Sequence, residues 1–147
     1  MKYILTIFFV TTLLKDRQDF VGIYEYKSAE KSENHYIVFD IIDGQLKGFY
    51  FGTEDGEGHG IFFYSVDMTN LKIDKEGKIE FEIGDRRLFE TTQFKIVKTE
   101  SQRDESVGRS HELLKYKGQI NEYSIQLTCD SEFHDCWTNE LTFEKVK

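Results

Sequence analysis

Proline is absent from all 147 residues, tryptophan occurs once, and there are only two cysteines and two methionines. The lack of proline excludes proline-rich linkers. The two cysteines lack the pair-and-pair spacing of a zinc module. No long apolar run exists beyond the 12 residues Tyr3 to Leu14, and a helix needs about 20 to span a bilayer. Basic residues are also few, 19 Lys and Arg against 27 Asp and Glu, for a formal net charge of −8. Such a surface repels phosphate backbones and anionic lipid, which excludes nucleic acid and leaves a basic protein or a metal ion as a charged partner. Catalytic signatures are missing as well: there is no G-x-S-x-G, H-E-x-x-H, P-loop or G-x-G-x-x-G. His35, His59, His111 and His134 fall at predicted strand ends and loops, where solvated imidazoles are ordinary. The expectation is a protein without catalytic activity, cofactor or bound metal.

What the chain has is aromatic surface: 13 Phe and 8 Tyr, each ring able to remove roughly 150–250 Å² from water. The length suits one core and one domain. The organising stretch is Gly48 to Tyr64, GFYFGTEDGEGHGIFFY, two aromatic runs on either side of a glycine-rich acidic loop, Gly52 to Gly60. It predicts a central β-hairpin. Around it, Phe20 to Lys27 puts Gly22, Tyr24 and Tyr26 on one face of a half-buried strand. His35 to Ile42 turns at Asp43-Gly44 into Leu46 to Gly52. Lys78 to Ile83 sets Ile79, Phe81 and Ile83 inward after a turn at Glu76-Gly77. Gly84 to Arg87 is predicted as another turn, Phe94 to Val97 as a strand, and Thr99 to His111 as the longest polar loop. Leu113 to Ile120 and Tyr123 to Leu127 form a hairpin about Asn121-Glu122, and Leu141 to Val146 closes the chain.

These runs give about nine strands, spaced by roughly 8–12 residues, with no 3.6-residue amphipathic stretch from Phe20 onward. Short sequential turns favour an antiparallel up-and-down meander of about 8–10 strands, and closing into a small barrel removes its open edges. Phe20-Val21-Gly22-Ile23-Tyr24 is similar to the opening-strand pattern F-x-G-x-[W/Y] of the calycin barrels, the lipocalins and fatty-acid-binding proteins. Tyr24 stands where most members carry Trp, and the family's later arginine motif has no counterpart in the sequence. The resemblance implies a lipocalin-like cup holding a small, mainly apolar molecule.

Met1-Lys2 and the apolar run to Leu14 have the form of a secretory signal, so residues 1–19 are expected to be a signal peptide and short leader, and 20–147 a single exported domain, secreted or periplasmic. Cys129 and Cys136 are expected to pair in such a compartment; two free thiols, or a zinc site with His134, are the other readings. Tyr24, Tyr26, Tyr36, Tyr50, Tyr116 and Tyr123 are the candidate cup residues, combining ring area with orienting hydroxyls. Filling a barrel with side chains is the simpler role for the same rings. Glu54, Asp55, Glu57 and His59 make the acidic loop a candidate surface for a basic protein partner, in an inhibitor- or immunity-type interaction module. Their spacing does not match a calcium loop. A monomer is expected.

Overall fold

Aromatic and β-branched side chains alternating with charged ones produce eleven strands and, among the described residues, no helix beyond a turn at 17–20. The computed structural model describes residues 17–26, 35–55, 61–90, 108–131, 136, 138 and 140–146. The run Tyr3 to Leu14 read as a secretory signal, residues 56–60 of the predicted acidic loop and the predicted strand Phe94 to Val97 lie outside the described residues. The strands are β1 (Gly22–Tyr26), β2 (Tyr36–Ile42), β3 (Gln45–Asp55), β4 (Ile61–Asp67), β5 (Thr69–Ile73), β6 (Lys78–Ile83), β7 (Arg86–Glu90), β8 (Gly108–Ser110), β9 (Leu114–Ile120), β10 (Ser124–Ser131) and β11 (Glu140–Lys145).

Several of these are parts of longer runs. β4 and β5 are interrupted only at Met68, whose amide donates to Gly48 O at 2.8 Å. β6 and β7 join through Gly84-Asp85, and β8 and β9 through residues 111–113. Paired residue numbers add to 152 both at Phe63↔Phe89 and at Ile73↔Ile79, so β4–β5 and β6–β7 make one long bent hairpin. The chain thus forms eight antiparallel runs in an up-and-down meander. β1 pairs with β2 on one side and with β11 on the other, so the ladder curls round to meet its own beginning.

Three sequence expectations are corrected here. Gly84 to Arg87 is not a full turn: Asp85 takes φ 23° and the chain re-enters the sheet at Arg86. The polar stretch before His111 contains β8, paired to β7. Gly52 to Asp55 belongs to β3 and pairs with Ile61 to Tyr64, so the ladder runs four residues into the predicted loop.

Up-and-down order sends alternate connections to opposite ends. At one end are the tight turns: Asp43-Gly44, both at positive φ as a two-residue hairpin requires; the Asp74 turn, whose Oδ1 accepts from the amides of Glu76 and Lys78; and the Asn121 turn, whose Oδ1 accepts from the amides of Tyr123 and Ser124. At the other end lie the strand ends Tyr26, Asp55, Ile61, Glu90, Gly108, Ser131 and Glu140, between which the sequence is longer than at the tight turns.

The tight-turn end is held by the opening-strand residues. Tyr24 is fully buried and its hydroxyl donates to Phe20 O at 3.0 Å. Lys145, from the last strand, places Nζ 5.5 Å from the centre of the Tyr24 ring and donates to Asp19 O at 3.0 Å. One cation therefore ties the 17–20 turn, β1 and β11 together. Lys145→Met keeps the aliphatic stem and loses the charge, and is expected to cost about 1 kcal/mol. Urea denaturation checks this, an unchanged midpoint showing that the cation holds nothing.

Candidate functional site

Side chains at paired positions share a face, so the registers fix which residues point inward. Tyr24 and Tyr26 of β1, Gly48, Tyr50 and Gly52 of β3, Tyr64 of β4, Phe81 of β6, Arg86 of β7, Tyr116 of β9 and Phe143 of β11 all face the interior. The opposite face carries a second, small cluster, Phe63 stacked on Phe89 at 5.2 Å.

Tyr50 crosses the interior. Its ring lies 6.1 Å from Tyr64 beside it and 5.4 Å from Tyr116 on the far wall, and Tyr116 continues the stack onto Phe81 at 4.9 Å. Phe143 meets Tyr50 edge-on at 6.1 Å. Strands β3 and β9 are not neighbours, so this column of rings forms a girdle at mid-height.

Above the girdle, toward the long connections, stand the buried polar groups. His35 is 3% exposed and its Nδ1 lies 3.1 Å from the Tyr50 hydroxyl. In the Nδ1–H tautomer His35 donates to Tyr50, whose own proton is then directed to the Tyr116 hydroxyl, its other hydrogen-bond partner. Arg86, also 3% exposed, donates Nη1 to Glu112 O at 2.9 Å and Nη2 to Ser110 Oγ at 2.8 Å, with its guanidinium 5.5 Å from the Tyr64 ring centre. Gly52 is required beneath them: a Cβ there would stand 2.6 Å from the Tyr64 hydroxyl and 2.8 Å from His35 Nδ1.

Burial sets the charge states. Desolvation raises Tyr50 well above the usual phenol range and Tyr116 to about 12, the Arg86 charge opposing it in both. Desolvation likewise pushes His35 down to about 4. At neutral pH Tyr50 and Tyr116 are therefore neutral phenols and His35 a neutral imidazole, beside the Arg86 side chain.

Of the sequence candidates, Tyr24, Tyr26, Tyr50 and Tyr116 face inward, with Tyr24 below the girdle. Tyr36 and Tyr123 do not. Tyr36 pairs with Phe51 on the outer face and donates to Glu25 at 3.2 Å, one residue out of phase with Ile37 and Phe39. Tyr123 is 70% exposed, because Asn121 extends the turn through it. Glu54 and Asp55 lie on β3, and Glu57 and His59 are outside the described residues. Cys129 and Cys136 are joined as a disulfide with Cα atoms 5.9 Å apart, which rules out the free-thiol and zinc readings. No cluster of three metal-ligating side chains occurs among the described residues.

Sequence reasoning missed His35, Arg86 and Tyr64. Ile61 to Tyr64 is apolar on both faces and carries no parity signal. Arg86 turns inward because Gly84-Asp85 shifts the alternation of Ile79, Phe81 and Ile83 by one residue. Charge patterning alone assigns such an arginine to solvent. The chain matches no family model, no curated protein and no solved structure.

Proposed function

We propose that this is a non-enzymatic calycin-like binding barrel that takes a small, mainly apolar ligand above the tyrosine girdle, at the end where the long connections gather. One observation carries the reading: four of the seven buried rings of the core, Tyr24, Tyr50, Tyr64 and Tyr116, are tyrosines where phenylalanine would pack more cheaply. Each buried hydroxyl has a desolvation cost, offset at Tyr24 by Phe20 O and at Tyr50 by His35 and Tyr116, and polar tips held in place in this way can orient a ligand. Tyr50, Tyr64 and Tyr116, with His35 and Arg86, set a few polar tips in apolar walls, the composition of a ligand pocket. Strand ends carrying long connections are where binding residues usually sit on a rigid scaffold. The up-and-down order and the Phe20-x-Gly22-x-Tyr24 opening support the calycin likeness, and Lys145 supplies a cation over the opening-strand ring in a chain that lacks the arginine motif. The paired cysteines and the leader sequence support an exported protein.

Native mass spectrometry of protein from its natural compartment tests this. A small molecule lost on denaturation is the expected result. Tyr50→Phe keeps the ring, removes the hydroxyl, and is expected to weaken uptake of that molecule about tenfold. A bare protein that also fails to take up a fluorescent apolar probe would sink the reading.

A further inference from the structure

The two walls of the barrel carry different outer faces. On β6, β9 and β10 the outward positions are polar throughout, among them Glu80, Lys115, Lys117, Gln119, Gln126 and Thr128. The wall of β11, β1, β2 and β3 instead carries an apolar row. Val146, the residue after β11, donates its amide to Ile23 O at 2.8 Å, Ile23 pairs with Val38, and Val38 pairs with Phe49. Their side chains stand side by side on the outer face, over about 15 Å at the usual strand spacing of about 4.8 Å. Ile23 is 44% and Val146 47% exposed, and Val38 and Phe49 are half-buried. An antiparallel sheet facing water keeps polar side chains there, as the opposite wall does, so an aligned apolar row marks a surface that something covers. Carboxylates border it. Asp67 pairs with Phe49 and closes one end. Along one side Glu25 of β1 lies directly opposite Glu144 of β11, a like-charge pair that weakens the ladder when nothing offsets it. The Tyr36 hydroxyl donates to Glu25 at 3.2 Å and holds it beside the row. Lys47, the cation of β3 on this face, stands opposite Asp40.

We propose that this row is the docking surface for a basic protein, which presents apolar side chains flanked by Lys or Arg. The apolar side chains lie on Val146, Ile23, Val38 and Phe49. One cation sits over Glu25 and Glu144 and removes their repulsion, and another meets Asp67 at the end of the row. Charge decides between this partner and a second copy of the chain. A second copy would bring a net charge of −8 and the same carboxylates against this face, whereas a basic surface is attracted to it. The sequence points to a basic partner through the acidic loop; the registers add a surface on the strands themselves. It lies outside the barrel, so it stands whether or not the interior takes a ligand.

The experiment is a titration of the full, disulfide-bonded protein with a helical peptide of about ten residues, long enough to follow the row, whose leucine stripe is flanked by lysines. Peptides with glutamate in place of lysine, or serine in place of leucine, are the controls. Methyl NMR reads the outcome. The leucine–lysine peptide is expected to shift the methyls of Ile23, Val38 and Val146, leave those of the inward Leu127 and Leu141 unmoved, and bind about tenfold tighter than either control. Ile23→Thr with Val38→Thr, which keeps β-branched side chains at outward positions, should weaken that binding about tenfold. Glu144→Gln should weaken it as well and, by relieving the facing charges, raise the melting temperature of the free protein. Equal binding of either control overturns the proposal, as do shifts confined to other methyls. Sedimentation that shows a dimer dissolved by Ile23→Thr also overturns it, because the occupant is then a second copy.

Discussion

Gly118→Ala is expected to remove most of the protein's stability. Gly118 faces inward on β9, and a Cβ there would collide with the Gln126 carbonyl oxygen, with the Gln126 carbonyl carbon 2.8 Å and Leu127 Cα 2.9 Å away. These are backbone atoms of the paired strand, so no side chain can rotate aside. Relief requires β9 and β10 to separate, and that ladder runs from Ser131↔Leu114 to Ile125↔Ile120. Ordinary overpacking costs about 1–3 kcal/mol; a clash against backbone should exceed this, at about 4 kcal/mol, out of a total that for single domains is about 5–15 kcal/mol. Urea titration followed by circular dichroism measures it. Lys117→Ala, on the outer face one residue away, should fall within about 0.5 kcal/mol of the parent. If the two variants melt together, the close approach of β9 to β10 is not a constraint.

Acid is expected to weaken the fold through His35. Its folded pKa, near 4, lies below the unfolded value near 6.5, because burial disfavours the imidazolium. The unfolded chain therefore binds the proton first as pH falls. Stability is full above about pH 6.5, declines below it, and is lost by about 3 kcal/mol at pH 4, where the folded form begins to protonate as well. His35→Gln preserves a hydrogen-bonding partner for Tyr50 and removes the titration. Carboxylates contribute acid sensitivity of their own, but equally to both proteins, so the difference between their urea midpoints at pH 7 and pH 4.5 isolates His35. Parallel pH profiles would mean that the ring is hydrated in the folded state.

Much of this architecture was legible from alternation alone. Gly22, Tyr24 and Tyr26 share the inner face of β1, and Ile79, Phe81 and Ile83 that of β6, because each strand has one apolar and one mixed face. Asp43-Gly44 and Gly77 mark their turns by residues that tolerate positive φ. The site was less legible, for a physical reason: its residues lie where the period slips. Arg86 follows the bend at Asp85, and Tyr123 belongs to the Asn121 turn. His35 is hidden for another reason: it stands just before β2 in phase with Ile37 and Phe39, its backbone oxygen accepting from Tyr26 N at 2.9 Å, but the run to Ile42 is apolar on both faces and shows no parity. A one-residue offset inverts the predicted face of everything after it, and tertiary pairing, which sequence periodicity does not contain, decides where the offsets fall.

The seam between the first and last strands bears on how the molecule is made. Tyr24 finds Lys145 and Tyr26 finds Phe143, partners at opposite ends of the chain. During synthesis every other run can pair with the one before it as it emerges. β1 must wait, one edge exposed, until β11 is complete. Such non-local closure is entropically costly and places folding in the slow range typical of β topologies. Lys145, which joins β11 to the Tyr24 ring and to Asp19, can form its contacts only in that last step, so its loss should speed unfolding and leave the refolding rate nearly unchanged.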